Sequence, residues 1–136
     1  MKKKVFISGP ILGMENSQGY RKPITETCQR LGLEIIDPWC REKILCKGDE
    51  TCWWTKCVPT DFIQRDLEDA ERCDVMVVYL PKLSAGACME MFYAKRKGKT
   101  IIVVSEMNCL SPWIVAHSDV IVRSLEDLED ALKQVL

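Results

Sequence analysis

Two acidic side chains fall at helical positions where the spacing predicts apolar ones. In the segment SAGACMEMFYAKRKGK, Glu90 lies on the same helix side as two of the alanines. Asp66 lies between Phe62 and Ala70, at spacings of four residues, on the apolar stripe of the preceding helix. A carboxylate that faces a core is costly without partners, so both positions are functional candidates for proton transfer or nucleophilic attack. Each acid alone has a simpler interpretation, as a salt-bridged or helix-edge carboxylate.

The helix that carries Glu90 begins with residues suited to an anion. Its first-turn amides, around Ser84, Ala85 and Gly86, point at whatever binds there, and glycine allows close approach. A helix N-terminus with a hydroxyl beside it suits a phosphate group. N-capping is the alternative for Ser84, and for that residue alone it is the simpler one.

Apolar runs typical of strands alternate with helical segments along the chain. Strands are predicted at 4–8, 33–36, 74–80, 100–105 and 119–123. Helices are predicted at 17–32 (capped by Ser17), 61–73 (capped by Thr60), 84–99 and 124–136 (capped by Ser124), with a short helical turn at 110–118. The alternation predicts an α/β fold: a doubly wound sheet of about five parallel strands with helices on both faces, flavodoxin-like or Rossmann-like.

Sheets of this kind bind ligands beyond the carboxyl ends of their strands. The first, third and fourth strands end in SGPILG, LPKLSAGACME and SEMNCLS. Ser8, Gly9 and Ile11 are therefore expected to contact a ligand, together with Ser84 and Gly86 from the loop after the third strand.

Length and composition bound the class of protein. At 136 residues the chain is expected to form one domain, 1–136, with an excursion rich in cysteine and tryptophan at about 39–59. Its net charge of −1, with acids and bases interspersed, argues against nucleic acid as a partner. The start MKKKVFISGPILGM is interrupted by Gly9-Pro10 and lacks a cleavage site, so it is expected to be a strand and not a leader. No run approaches membrane-spanning length, and a cytoplasmic protein is expected.

Four of the eight cysteines crowd the excursion. Cys40, Cys46, Cys52 and Cys57 lack the paired spacing of common zinc sites, so reduced loop thiols are expected and no metal. A metal site or a disulfide pair stays the alternative, because four clustered cysteines are unusual in a cytosolic chain. The other four cysteines are expected to be small buried thiols.

Several of these segments resemble the nucleoside 2-deoxyribosyltransferase superfamily. The matching features are FISGP near the start, RDLEDAERCDVMVVYL, and the spacing Ser84-x-Gly86-x-x-x-Glu90 followed by YAKRKGKTIIVV. The resemblance spans most of the chain outside the excursion, and the segment from Asp66 to Val104 is its most specific part.

The resemblance implies roles for both acids. Glu90 matches the family's nucleophile, which attacks the anomeric carbon of the sugar, and Asp66 matches an aspartate that positions the sugar and assists proton transfer. Where the transferases carry an aspartate, this chain has Ser84, which resembles the branch of 2'-deoxynucleoside 5'-monophosphate N-glycosidases. In that branch the serine contacts the 5'-phosphate, and the serine matching Ser111 is associated with a neighbouring subunit's phosphate site. A phosphate would be repelled by an aspartate and accepted by a serine at a helix N-terminus.

Three positions depart from the family pattern. Phe6, an expected substrate contact, stands where tyrosine is common, so a hydroxyl near the nucleophile is missing. Leu12 stands where the phosphate-specific branch tends to have arginine, and Arg21 is the cation that would compensate. Cys88 replaces a small residue in the helix turn.

The resemblance thus implies cleavage of the N-glycosidic bond of a (2'-deoxy)nucleoside 5'-monophosphate, without a cofactor, by a homodimer or higher homo-oligomer with shared active sites. Two alternatives stay open. One is a nucleoside 2-deoxyribosyltransferase that exchanges bases between nucleosides, and the other is a non-catalytic nucleotide-binding module on the same fold. The expected partner is a small nucleoside or nucleotide, and neither a nucleic acid nor a membrane.

Overall fold

The computed structural model describes residues 2–41, Thr55 and residues 60–136. Their strands are β1 Lys4–Ser8, β2 Glu34–Ile36, β3 Val75–Tyr79, β4 Thr100–Val104 and β5 Val120–Val122. These strands form one parallel sheet in the order β2-β1-β3-β4-β5, which is the flavodoxin-like order. The predicted fold class is confirmed.

Helices connect and cover the strands. They are α1 Arg21–Arg30, α2 Pro38–Arg41, α3 Thr60–Arg72, α4 Ala85–Arg96, α5 Pro112–Ala116 and α6 Leu128–Val135, with a 3-10 turn at Leu125–Asp127. None of the helices in the described part of the chain combines the length and apolar composition that crossing a membrane requires.

The alternation of side chains along β1 divides the core into two layers. Val5 and Ile7 pack with residues of α1 and α6, whereas Phe6 packs with residues of α3, α4 and α5. Because successive residues of a strand face opposite sides, Ser8 shares the side of Phe6. The last side chain of β1 therefore points toward the layer that contains α4.

The central strands are apolar along most of their length, as expected where both faces of a parallel sheet are covered. Val75, Met76, Val77 and Val78 of β3 are at most 2% exposed, and the last four residues of β4 are at most 1% exposed. This packing gives the carboxyl edge of the sheet a rigid base, from which the crevice loops depart.

Two predicted helix caps are wrong. Helix α1 begins at Arg21, after Tyr20, and Ser17 lies in turns in which its amide donates to the Met14 carbonyl at 2.9 Å. Ser124 makes no side-chain cap bond, because a 3-10 turn follows it and α6 begins only at Leu128. Helix α3 starts at Thr60 itself. A serine or threonine before an apolar pattern is thus not sufficient to locate a helix start.

The described cysteines differ in exposure. Cys28 and Cys73 are buried as predicted, and burial raises the pKa of each thiol to about 11. Cys88 is half-buried, whereas Cys109 is exposed, contrary to the prediction, because it lies in the loop after β4. Cys40 is exposed on α2, and the predictions for the other three excursion cysteines, Cys46, Cys52 and Cys57, lie outside the described residues.

Candidate active site

A hydrogen bond joins the end of β1 to the centre of α4. The Ser8 hydroxyl donates to Glu90 Oε1 at 2.7 Å, and Ser8 is only 1% exposed. Ser8 reaches Glu90 because strand alternation turns it toward the α4 layer, and helical periodicity turns Glu90 toward the sheet. The hydroxyl beside the acid thus comes from position 8 and not from position 6.

The environment of Glu90 opposes ionisation. Burial raises the pKa of its carboxyl to about 8, although the Ser8 hydrogen bond lowers it, and the charge of Asp66 raises it while that of Arg21 lowers it. At neutral pH, Glu90 therefore holds its proton most of the time. Once ionised, it is a more basic carboxylate than a solvated glutamate, and hence a stronger nucleophile.

The second predicted acid lies in the same environment. Asp66 is a half-buried residue of α3 whose Oδ1 atom is shielded from solvent. The negative charge of Asp66 raises the pKa of Glu90, so the carboxyl groups of α3 and α4 interact electrostatically. The structure therefore brings together the two acids that helical spacing had selected.

An ion pair that the sequence analysis missed lies at the same edge of the sheet. Arg21 Nη1 lies 2.6 Å from Asp37 Oδ1, with both side chains 6% exposed. The guanidinium also donates to the Ile7 carbonyl at 3.3 Å and to Gln18 Oε1 at 2.8 Å. These contacts use Nη1 and Nε of a buried side chain, whereas Leu12 is 53% exposed, and compensation for Leu12 by Arg21 stays a prediction. The available signal was the position of Asp37, directly after β2 at the carboxyl edge.

Two tyrosines close the floor beside Arg21. The rings of Tyr20 and Tyr79 stack with centroids 4.5 Å apart. The Tyr20 ring covers Gly9 so closely that a Cβ there would lie 2.8 Å from Cζ of the ring, as well as against the hydroxyl. Burial raises the pKa of Tyr20 to about 12, so this phenol stays neutral. Gly9 is buried under the ring, and its predicted contact with a ligand stays a prediction.

The predicted phosphate-site serines both cap helices. Ser84 Oγ accepts from the Ala87 amide at 3.2 Å, and Ser111 Oγ accepts from the Trp113 amide at 3.2 Å. A hydroxyl that accepts from an amide keeps its own hydrogen for donation, so capping does not prevent contact with a phosphate oxygen. A Cβ on Gly86 would meet no atom of the described residues within 4 Å, apart from its neighbours in the helix, so these residues leave the space beside the first turn of α4 open.

The two remaining predicted contacts have different surroundings. Ile11 is half-buried in the loop after β1, on the crevice side of the sheet. Phe6 is 0% exposed and packs in the core layer with Met76, Ala87 and Met91. Phe6 therefore supports the strand under Ser8, and its contact with a substrate stays a prediction.

Comparison with known proteins shows what this architecture is similar to. No protein-family model and no curated protein matches the sequence. Solved structures do match: a conserved protein from Enterococcus faecalis V583 has 18% identity and a TM-score of 0.78 over 100% of both chains. A 2-deoxyribosyltransferase from Bacillus psychrosaccharolyticus has 15% identity and a TM-score of 0.70, over 93% of this chain and 90% of that one.

A CMP N-glycosidase from Clostridium botulinum has 19% identity and a TM-score of 0.62, over 97% of this chain and 99% of that one. At these identities the matches show the fold. The chain has the α/β fold that nucleoside- and nucleotide-processing enzymes also have.

Proposed function

We propose that this protein cleaves the N-glycosidic bond of a (2'-deoxy)nucleoside 5'-monophosphate, with Glu90 as the nucleophile. The observation that carries the proposal is the 2.7 Å hydrogen bond from Ser8 to Glu90. It holds a carboxyl with a raised pKa at the carboxyl edge of the sheet, where ligands of such folds bind. The second acid, Asp66, acts on the same carboxyl.

The chemistry follows from this pair of acids. Ionised Glu90 attacks the anomeric carbon as the bond to the base breaks, and it stabilises the oxocarbenium-like charge that develops there. The electron pair of the broken bond goes to the base nitrogen, which takes up a proton, and Asp66 is the group proposed to assist that transfer. Water then attacks the anomeric carbon and breaks its bond to the Glu90 oxygen, while the proton that the water loses passes to the Asp66 carboxylate. The sugar phosphate leaves and Glu90 returns to its carboxylate form.

The monophosphate preference rests on the entrance of α4. Ser84 has a hydroxyl hydrogen to donate, the helix N-terminus favours negative charge, and the described residues leave the space over Gly86 open. An N-glycosidase whose named substrate is CMP has a similar fold, which supports a nucleoside 5'-monophosphate as the substrate class.

We also propose that the active form is a homodimer. Exposed apolar side chains cluster on α4 and α5: Met89 is 71% exposed, Phe92 47% and Trp113 73%. Phe92 and Trp113 both lie against the His117 ring, at centroid distances of 5.3 and 6.3 Å, so the surface is continuous and adjoins Ser111. Sedimentation should show a dimer that Trp113→Lys dissociates, and a fully active monomer would contradict this proposal.

The experiment that tests the function is product analysis. The protein is incubated with a panel of nucleosides and nucleoside 5'-monophosphates, with and without an acceptor base, and the products are separated by chromatography. We expect the protein to release free base and sugar phosphate from a nucleoside 5'-monophosphate when no acceptor base is present. Base exchange that needs an acceptor would identify a transferase, and saturable binding without base release would identify a binding module.

A further inference from the structure

The candidate site needs a cation that the sequence analysis did not identify. The site already contains Glu90 and Asp66, and a phosphate monoester adds a charge of about −1.5 to −2 at neutral pH. Arg21 also acts on this site, but it pairs with Asp37 at 2.6 Å, so its single positive charge is already shared with a carboxylate. Position 12, at the crevice, is an apolar leucine.

Lys82 lies where such a cation is required. It belongs to the loop between β3 and α4, two positions before Ser84, yet its ammonium group lies against the loop that follows β1. A Cβ built on Gly13 would lie 3.0 Å from Lys82 Nζ. The side chain therefore reaches from the β3–α4 loop to the loop after β1, and its charge ends beside Gly13, the residue that follows Leu12.

The backbone of the β1 loop makes room for this lysine. Gly13 has a φ of +80°, a conformation that side chains other than glycine rarely adopt. A side chain at this position would be strained and would also meet the ammonium group. Because Gly13 has no side chain, the Lys82 ammonium group can lie against its backbone.

The charge of Lys82 is also available. Within residues 2–41 and 60–136, no carboxylate forms an ion pair with it. By contrast, Lys95 pairs with Asp119 at 2.7 Å and Lys97 lies 3.6 Å from Glu71. Since Lys82 is exposed, an incoming anion can reach its ammonium group directly.

We propose that Lys82 binds the 5'-phosphate of the substrate, together with the Ser84 hydroxyl and the first-turn amides of α4. This inference rests on the proposed function for the identity of the phosphate ester. In this arrangement Lys82 supplies from the β3–α4 loop the charge that an arginine at position 12 would have supplied. It also offsets the phosphate charge that would otherwise strengthen the hold of Glu90 on its proton.

The test measures binding of the sugar phosphate itself. Titration calorimetry with 2-deoxyribose 5-phosphate and ribose 5-phosphate compares wild type with Lys82→Gln, Lys82→Arg and the control Lys97→Gln. The control removes the same charge from the opposite end of α4. Lys82→Gln should weaken binding of the preferred sugar phosphate about tenfold, the value of one charge-assisted contact, and Lys82→Arg should restore most of it. Thermal melts establish that each variant is folded.

The outcomes separate this inference from the proposed function. Unchanged binding by folded Lys82→Gln, an equal loss in Lys97→Gln, or no binding of either sugar phosphate by wild type would each overturn the role of Lys82. A selective loss in Lys82→Gln supports that role even if no substrate of the panel releases its base, in which case only the proposed reaction fails. If Lys82→Gln releases base with an unchanged KM, the proposed reaction is supported and the proposed role of Lys82 is wrong.

Discussion

The acidic residues at the amino edge of the sheet and Glu90 at its carboxyl edge have opposite environments. At the amino edge, Asp74 accepts a hydrogen bond from the Lys4 amide at 2.8 Å. Asp119 accepts from the Ile101 amide at 2.8 Å and from Lys95 Nζ at 2.7 Å. These carboxylates connect neighbouring strands of the sheet, and their partners are backbone amides and a lysine.

At the carboxyl edge, Glu90 has a neutral hydroxyl and another acid as its neighbours. The pKa shifts of the two edges differ accordingly. Burial opposes ionisation of Asp119, but the Lys95 and Ile101 hydrogen bonds prevail and lower its pKa, whereas burial raises the pKa of Glu90 to about 8. An acid whose charge the fold stabilises contributes to the fold, while an acid whose charge the fold destabilises is a candidate for chemistry.

The largest expected effect is on catalytic activity, which should depend on Glu90 and not on Asp119. Glu90→Gln keeps the size of the side chain but removes the nucleophile, so base release should fall by at least about a thousandfold. Asp119→Asn, on the opposite edge, should stay within about twofold of wild type. Chromatographic rates with a nucleoside 5'-monophosphate measure both. Substantial activity in a folded Glu90→Gln protein would remove Glu90 from the role of nucleophile.

The same pair of variants should differ in stability, with opposite signs. The folded-state pKa of Glu90, about 8, lies above its ordinary value of 4.5, so the folded protein holds a proton that the unfolded chain has lost. The contribution of Glu90 to stability therefore falls as pH rises from about 4.5 to about 8. Glutamine does not titrate, so Glu90→Gln should not lose stability in this pH range. Above pH 8 the variant should be more stable than wild type by a few kcal/mol.

Asp119 is the matched control for this measurement. Its lowered pKa contributes stability above the unfolded-state pKa, and this contribution is lost as pH falls through the folded-state value. Asp119→Asn should therefore destabilise the folded protein at neutral pH. The loss should be less than about 1 kcal/mol, because solvent screens the ion pair between Asp119 and Lys95. Urea unfolding at several pH values measures both variants. Destabilisation by Glu90→Gln at high pH would show that the comparison between the edges is wrong.

A smaller effect is expected when the carboxyl edge receives one more acid. Ser84→Asp preserves the helix cap but puts negative charge beside the proposed phosphate. The preference of wild type for a monophosphate over its nucleoside, about tenfold or more, should disappear or reverse. The ratio of the two kcat/KM values measures it. A wild-type protein that uses both substrates equally well would contradict the proposed role of Ser84.

The smallest expected effect concerns the hydroxyl that lowers the pKa of Glu90. Because ionised Glu90 is required, kcat/KM of wild type should rise with pH and level off near pH 8. Ser8→Ala removes the hydrogen bond, so the rising limb should move to higher pH. Activity should fall roughly three- to tenfold at pH 7 and little at pH 9. An unshifted limb would mean that Ser8 only packs against Glu90.

Local periodicity was sufficient to predict much of this arrangement. The position of Ser8 at the end of the first predicted strand placed it at the crevice, and helical spacing placed Glu90 and Asp66 on the core side. Strand and helix alternation predicted the parallel sheet, which the structure confirms. These features depend on residues a few positions apart, where sequence spacing determines direction.

Contacts between distant segments were beyond such reasoning. Arg21 and Asp37 belong to different elements, and nothing in the period of either element indicates that they pair. The same holds for the stacking of Tyr20 on Tyr79 and for the approach of Lys82 to Gly13. Arg21 was therefore named only as the cation that would compensate for Leu12, and its ion pair with Asp37 was not predicted. The packing of helices and loops against one another determines these contacts, and sequence spacing within one element does not.

The close contact between Gly9 and Tyr20 has a consequence for the evolution of this fold. A methyl group at position 9 would force the aromatic ring to shift, since even the ring carbon Cζ would lie 2.8 Å from it. The two positions should therefore change together: descendants that acquire alanine at position 9 need a smaller residue at position 20. Such a change would also remove the stack on Tyr79 and leave Arg21 uncovered. Homologues that have this glycine without the aromatic ring are thus expected to have rebuilt the floor of the crevice.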